Sequence, residues 1–300
     1  MGILSHALCA QAAFEASESA ATKSLLPIWA SSTGTTTSHP TQTATLNQAE
    51  RCTSIYKQLS DALLVSLDPV QRLLLEENMS PFSRRWLNTL PSSPALHLSD
   101  QEFATGVHLR TLCPGALWCR HCGVEITTVN HIDTCMSSTA VSDRTTRHNT
   151  IRDLLARAFR SVGHGIEVTT EPNVPGTSRR NDIRVTNGDI AGIAPADFEI
   201  KVHALTTHAN LASYNPDPSA TAFLTKCEES ARANRPIPPS GHYSPPMSPI
   251  VFSAGGLLAP ASRNAILAWR RHIKASTFQF IMRLIAFSLL RSRARLFTLG

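Results

Sequence analysis

RRNDIRVTNGDIAGIAPADFEIKVHA, residues 179–204, holds two strand patterns and a concentration of acidic and basic side chains. NDIRVT (181–186) reads as a strand closed by Asn187-Gly188, and DFEIKVHA (197–204) as the next one. On the second strand a period of two sends Phe198, Ile200 and Val202 to one face, and Asp197, Glu199, Lys201 and His203 to the other. One face is core. The other is a row of acid and base facing Asp182 of the neighbouring strand. Divalent-metal phosphodiester chemistry asks for this combination: magnesium takes carboxylate oxygens plus water, and a lysine orients the attacking water or steadies charge on the phosphate. The competing reading is a solvated polar strand face, common in antiparallel sheets.

The flanks supply the layers such a strand pair needs. IEVTTE (166–171) reads as a further strand, with Glu171 at its edge as an additional acidic contributor, and PNVPGTS as the turn that follows. Upstream, RHNTIRDLLARAFRSVGHG from Arg147 places Ile151, Leu154, Leu155, Ala158, Phe159 and Val162 on one helical face, ended by Gly163 and Gly165. Arg144, Arg147 and His148 fall where this helix is expected to begin. They suit phosphate contact there, or, for His148 and Asn149, helix capping. Downstream, ATAFLTKCEESARA is expected as a helix bringing Lys226 back over the sheet, RPIPPSGHYSPPMSP as a broken loop, PIVFSAGG as one more strand and residues 261–273 as a closing helix.

Directly before this block stands CRHCGVEITTVNHIDTC, residues 119–135. Cys119 and Cys122 share a short turn, and His131 and Cys135 form a second pair with three residues between them, spacings that let four ligands converge tetrahedrally on zinc. Four protein ligands leave no open position for water, so the zinc is expected to be structural. His121 is the spare. Ser99-Asp100-Gln101-Glu102 reads as a capping box opening a helix that leads into the knuckle.

The order of these features resembles the restriction-like endonuclease module at the C-terminal end of site-specific non-LTR retrotransposon proteins, a branch of the PD-(D/E)xK nucleases. The resemblance spans roughly residues 80–270 and rests on Cys119, Cys122, His131, Cys135, Arg147, His148, Asn149, Glu171, Pro172, Arg180, Asp182 and Asp197. It implies an α/β fold, a restriction-endonuclease-like core with a mixed sheet flanked by helices, preceded by the knuckle and a small helical segment. It also implies magnesium-dependent strand cleavage that primes reverse transcription. Asp182 and Asp197 are then the expected magnesium carboxylates, Glu199 shares or replaces one of them, and Lys201 or Lys226 activates water. Arg144, Arg147, His148, Arg179 and Arg180 are the expected nucleic-acid contacts. Two positions depart from the family: Asn181 stands where a proline is usual, and the helix carrying Lys226 lacks the tyrosine expected after its lysine. A second reading is therefore a zinc-stabilised nucleic-acid-binding remnant of a retrotransposon protein, without cleavage. A protein-interaction module built on the zinc site leaves the carboxylate strand unexplained.

The chain of 300 residues, 42% of them hydrophobic, can bury a sizeable core, and its formal charge of +6 is unevenly spread. After Glu229 there is no Asp or Glu, while ten Lys and Arg residues follow, from Arg232 to Arg295. That points to a polyanion partner, best met by double-stranded DNA. With three of seven cysteines assigned to metal, the others show no pairing scheme, which suits a nuclear or cytoplasmic protein that is not secreted. FQFIMRLIAFSLL carries Arg283 and is too short to span a bilayer, so no membrane segment is expected. The expected organisation is a disordered Ser/Thr-rich leader (1–48), a helical linker region in which Ile55, Leu59 and Leu63 form a packing face (49–112), the zinc knuckle (113–143), the nuclease core (144–275) and a basic amphipathic tail (276–300).

Overall fold

A computed structural model describes residues 6–33, 48–112, 117–126, 131–163, 165–187, 193–213, 219–234, 245–295 and 297–299. The central part of the Ser/Thr tract (34–47), Cys113, Gly188, Arg235 and most of the proline-rich loop (235–244) lie outside the described residues. The chain divides into two units, Met1–Asp68 and Pro69–Gly300.

The first unit pairs α1 (His6–Thr33) with α2 (Gln48–Ser66). Residues 6–33 are helical, against the expected disordered leader, because Ala and Leu, the strongest helix formers, dominate the part before the Ser/Thr tract. Arg51 of α2 pairs with Glu15 of α1. Leu59 and Leu63, expected on a packing face, remain exposed.

The second unit is mixed α/β. Its helices are α3 (Pro69–Met79), α4 (Asp100–Thr111), α5 (His131–Thr134), α6 (Ser138–Arg160), α7 (His208–Ser213), α8 (Ala220–Ala233), α9 (Pro260–Trp269) and α10 (Ala275–Ala294). A three-stranded sheet in the order β2-β1-β7 joins Glu125–Ile126, Leu117–Cys119 and Phe297–Leu299. A four-stranded sheet runs β3 (Glu167–Thr170), β4 (Ile183–Thr186), β5 (Ala196–His203), β6 (Met247–Ser253). β3, β4 and β5 form an antiparallel meander, and β6 adds to β5 in parallel after the crossover through α8.

Alternation along the strands decides which helices cover which face. Ile183, Val185, Phe198 and Ile200 point into a core with Ile151, Leu155 and Phe159 of α6, Trp269 of α9, and Phe278, Ile281 and Ile285 of α10. Phe159 stacks on Phe198 at 5.2 Å between ring centroids, and Trp269 stands edge-on to both. On the opposite face Val251 packs with Leu224 of α8 and Leu73 of α3.

α6 starts at Ser138, well before Arg147, because Ser137 caps it, its side chain accepting from the Ala140 N–H at 3.3 Å, and nothing between breaks the helix. Arg144, Arg147 and His148 are therefore mid-helix residues, away from the free N–H groups of the first turn. α4 carries the expected capping box: Glu102 N–H donates to Ser99 Oγ at 3.2 Å, and Ser99 N–H to Glu102 Oε2 at 2.9 Å.

The segment expected as a tail (276–300) is central instead in its described residues, 276–295 and 297–299. α10 buries Phe278, Ile281, Met282, Ile285, Phe287, Leu289 and Leu290, and β7 completes the small sheet beside β1, with Cys119 opposite Phe297. Among the described residues no helix is long and apolar enough to cross a membrane.

Near the end of α10, Arg293 is 4% exposed between two buried carboxylates. Its Nε donates to Asp133 Oδ1 at 3.0 Å, its Nη2 reaches Asp133 Oδ2, and Nη2 lies 3.1 Å from Glu77 Oε2. Glu77 Oε1 accepts the Gly255 N–H at 2.7 Å. A Cβ at Gly255 would lie 2.1 Å from Glu77 Oε2, so only glycine admits this approach. Burial opposes the charge on Arg293, but Asp133 and Glu77 outweigh it and push its pKa above the usual guanidinium value. Replacing Arg293 with methionine strands two carboxylates, and a loss of about 3–5 kcal/mol is expected in urea unfolding. A loss below about 1 kcal/mol, the scale of a solvated surface pair, would contradict this account.

Candidate metal centre and catalytic cleft

The metal centre is built from two short elements. β1 and β2 form a tight hairpin in which Gly123, at φ 68°, donates to the Cys119 carbonyl at 2.8 Å, placing Cys119 and Cys122 on one turn. The single turn of α5 presents His131, and Cys135 follows, its N–H bonded to the His131 carbonyl at 2.9 Å. The ligand atoms of Cys119, Cys122, His131 and Cys135 all lie within 4.8 Å of one another. Cys119 Sγ is 3.7 Å from Cys135 Sγ, and Cys122 Sγ is 3.4 Å from His131 Nε2. Tetrahedral zinc with usual bond lengths separates such atoms by about 3.5–3.8 Å. The cluster can hold a metal and is compatible with structural zinc.

The local electrostatics suit that role. Burial pushes the Cys119 thiol up to about 11, so a bound cation has much to offer it as a thiolate. At Cys135 burial also raises the pKa, but hydrogen bonding to Ser137 and the neighbouring thiols outweighs it, for a net lowering. Burial lowers His131, favouring the neutral imidazole a metal takes. His121 stands apart from the four ligands, 2.5 Å from Thr139 Oγ1 and 3.4 Å from Asp143.

The second site lies on the polar face of β5. A cleft of about 570 Å³ is lined by Glu199, Lys201 and His203 of β5, Lys226 and Cys227 of α8, and Arg179 and Arg180 before β4. Lys201 Nζ meets Glu199 Oε1 at 2.5 Å. Both candidate lysines thus line one cavity, although they come from different elements. Burial, with the nearby Lys201 second, lowers the pKa of His203 and keeps it neutral.

The carboxylates are separated by what holds them. Asp197 is fully buried: Arg184 grips it with Nε at 2.7 Å and Nη2 at 2.8 Å, and Asn181 Nδ2 donates at 2.7 Å. Three hydrogen bonds and no exposure leave it no oxygen to offer a cation, so the expected pairing of Asp182 with Asp197 on one metal is not what the geometry provides. Asp182 sits just before β4, beyond the last register pair Ile183–Phe198, and its N–H donates to the Phe198 carbonyl at 3.1 Å. Its Oδ2 accepts the Ile200 N–H at 2.6 Å and its Oδ1 lies 2.8 Å from His148 Nε2. A carboxylate has about four lone-pair sites, so Asp182 and Glu199 each keep capacity. Asp182, bonded to His148 of α6, is not among the residues that line the cleft.

The remaining expected contacts fall in three groups. Arg179 and Arg180 line the cleft, Arg179 Nη1 lying 3.4 Å from the Asn234 carbonyl and Arg180 3.7 Å from Glu171. Glu171, at φ 53°, is tied to Arg152 and half exposed outside the cleft. Arg144 donates to the Cys135 carbonyl, Arg147 is buried, and His148 holds Asp182. None of these three is presented to solvent at a helix N-terminus. The alternation along β5 could not reveal Arg184, because its role depends on which carboxylate the register sets opposite. Compared with known protein families and with characterised proteins, the sequence matches none.

The purified protein is expected to carry stoichiometric zinc by atomic absorption, and Cys122→Ser and His131→Ala to lose it. A protein that folds fully after zinc is stripped by a chelator would argue against a structural ion.

Proposed function

We propose that the unit Pro69–Gly300 is a metal-dependent DNA endonuclease module of the restriction-like type, related to those of non-LTR retrotransposon proteins. One observation carries the reading: Asp182 lies at the point where β4 leaves β5, its carboxylate bonded to the Ile200 N–H between Glu199 and Lys201. The order α6-β3-β4-β5-α7-α8-β6, a meander followed by a parallel strand, supports it as scaffold, and so does a cleft in which four Lys and Arg side chains accompany one carboxylate.

On this reading Asp182 and Glu199 hold magnesium, which supplies Lewis-acid activation of water and of the scissile phosphate. His148 keeps Asp182 oriented through its 2.8 Å contact. Lys201, beside Glu199, positions the attacking water, and Lys226 stabilises negative charge that grows on the phosphate oxygens. Arg179 and Arg180 contact flanking phosphates and so position the duplex without reading bases. Asp197 has no part in the chemistry; with Arg184 and Asn181 it fixes the start of β4.

A second reading, a zinc-stabilised DNA-binding protein without cleavage, is favoured by Asn181, whose side chain is committed to Asp197 where the resembling nucleases carry a proline. Plasmid nicking separates the two. The zinc-loaded protein is expected to nick supercoiled DNA with magnesium, and Asp182→Ala, Glu199→Ala and Lys201→Ala each to lower the rate on the order of 10²-fold. Salt-sensitive DNA binding without nicking in the parent protein would leave the binding role alone.

A further inference from the structure

The seam between α6 and α10 contains a second cationic cavity, remote from the cleft. α6 and α10 cover the sheet face that carries Ile183, Phe198 and Ile200, whereas the cleft opens beside α8 on the other face. The cavity measures about 230 Å³, and facing helical stripes line it: Arg147 and Thr150 from α6, and Ser288, Arg291, Ser292 and Arg295 from α10. No Asp or Glu lines it.

Arg147 supplies the observation that points to a ligand. Arg147 is only 8% exposed, yet among the described residues its buried Nε has no hydrogen-bond partner. The nearby carboxylates, Asp133 and Glu77, are committed to Arg293. A buried N–H donor without an acceptor is destabilising, and such groups are ordinarily met by water or an ion. Burial lowers the Arg147 pKa to about 10 in spite of Asp133 and Glu77, so the charge is poorly compensated by protein alone. Water could satisfy the N–H but not the charge. Arg295, at the mouth, is 55% exposed and meets Asp143 only at 3.5 Å, which leaves most of its donors free. Arg291 is held in place by Glu102 at 3.3 Å and by the carbonyls of Ala95 and His97 at 2.9 and 2.5 Å, and adds fixed positive charge.

We propose that this seam binds a phosphate group, from a free phosphate or from a nucleic-acid backbone. A tetrahedral anion offers several oxygens to Arg147 Nε, Arg295 and the hydroxyls of Thr150, Ser288 and Ser292, and guanidinium–phosphate hydrogen bonds are among the stronger ones. The site does not depend on cleavage in the other cavity. It would make a second anchoring point for a polyanion.

The test is isothermal titration and thermal unfolding of the full zinc-loaded chain with inorganic phosphate, against chloride at equal ionic strength. Phosphate is expected to bind saturably and to raise the melting temperature. Binding is expected to weaken by about tenfold or more in Arg295→Ala and in Ser288→Leu, which fills the seam, and to stay unchanged in Lys57→Ala at an exposed position of α2, while Lys226→Ala reports any phosphate bound in the cleft. A short single-stranded DNA that displaces the phosphate identifies a backbone as the source; one that does not leaves a free phosphate. Absence of phosphate-specific binding, equal binding in both seam variants, or loss in Lys226→Ala alone would overturn the assignment.

Discussion

The ion pair system centred on Arg293 ties together parts of the chain that lie far apart in sequence. Glu77 comes from α3, Asp133 from between the third and fourth metal ligands, Gly255 from the turn after β6, and Arg293 from α10. Two buried carboxylates need a counter-charge that cannot leave, and a guanidinium can serve both with its planar set of donors. The metal centre is thereby docked on the α/β core by an interaction whose partial removal leaves bare charge. The pairing of β7 with β1 adds a backbone link at Cys119 itself. Asp133 lies between His131 and Cys135 in sequence, so the ion pair and the Cys/His cluster share one short segment.

That arrangement uses part of the basic C-terminal composition internally, while Arg263, Arg270, Arg271 and Lys274 stay exposed. Arg291, Arg293 and Arg295 each meet carboxylates or carbonyls within the unit. Positive charge close to the cleft comes instead from Arg179, Arg180, Lys201 and Lys226. A net charge can suggest a polyanion, but the tertiary fold decides which cations it meets.

Periodicity made the sheet legible. The alternation in DFEIKVHA places Phe198 and Ile200 against α6 and Glu199 and Lys201 in the cleft, and the Cys/His spacing marks the metal centre before any coordinates are considered. α10 was not legible, because its apolar residues are interleaved with Arg283, Arg291 and Arg293, a pattern equally suited to a surface helix. Only the pairing of Arg293 with Glu77 and Asp133 allows that helix to be buried. The start of α6 was missed for a related reason: Ser138 to Thr146 are mostly polar and include Ser, Thr and Asp residues that are weak helix formers, and their helicity rests on the Ser137 cap and on packing at Ala140.

Asp197 and Glu199 show where a period of two stops being informative. They share a strand, a face and an acidic group, so nothing in their spacing distinguishes them. What separates them is the neighbour the antiparallel register provides: Asp197 faces Arg184 and becomes a buried, neutralised anchor, whereas Glu199 lies beyond the last β4–β5 pair, Ile183–Phe198, and lines the cleft. Asp182 bridges the two strands there, its N–H donating to the Phe198 carbonyl at 3.1 Å and its Oδ2 accepting the Ile200 N–H at 2.6 Å, while Glu199 and Lys201 of β5 line the cleft. Arg184 and Asn181, clamped on Asp197, fix the start of β4 and with it the position from which Asp182 reaches β5.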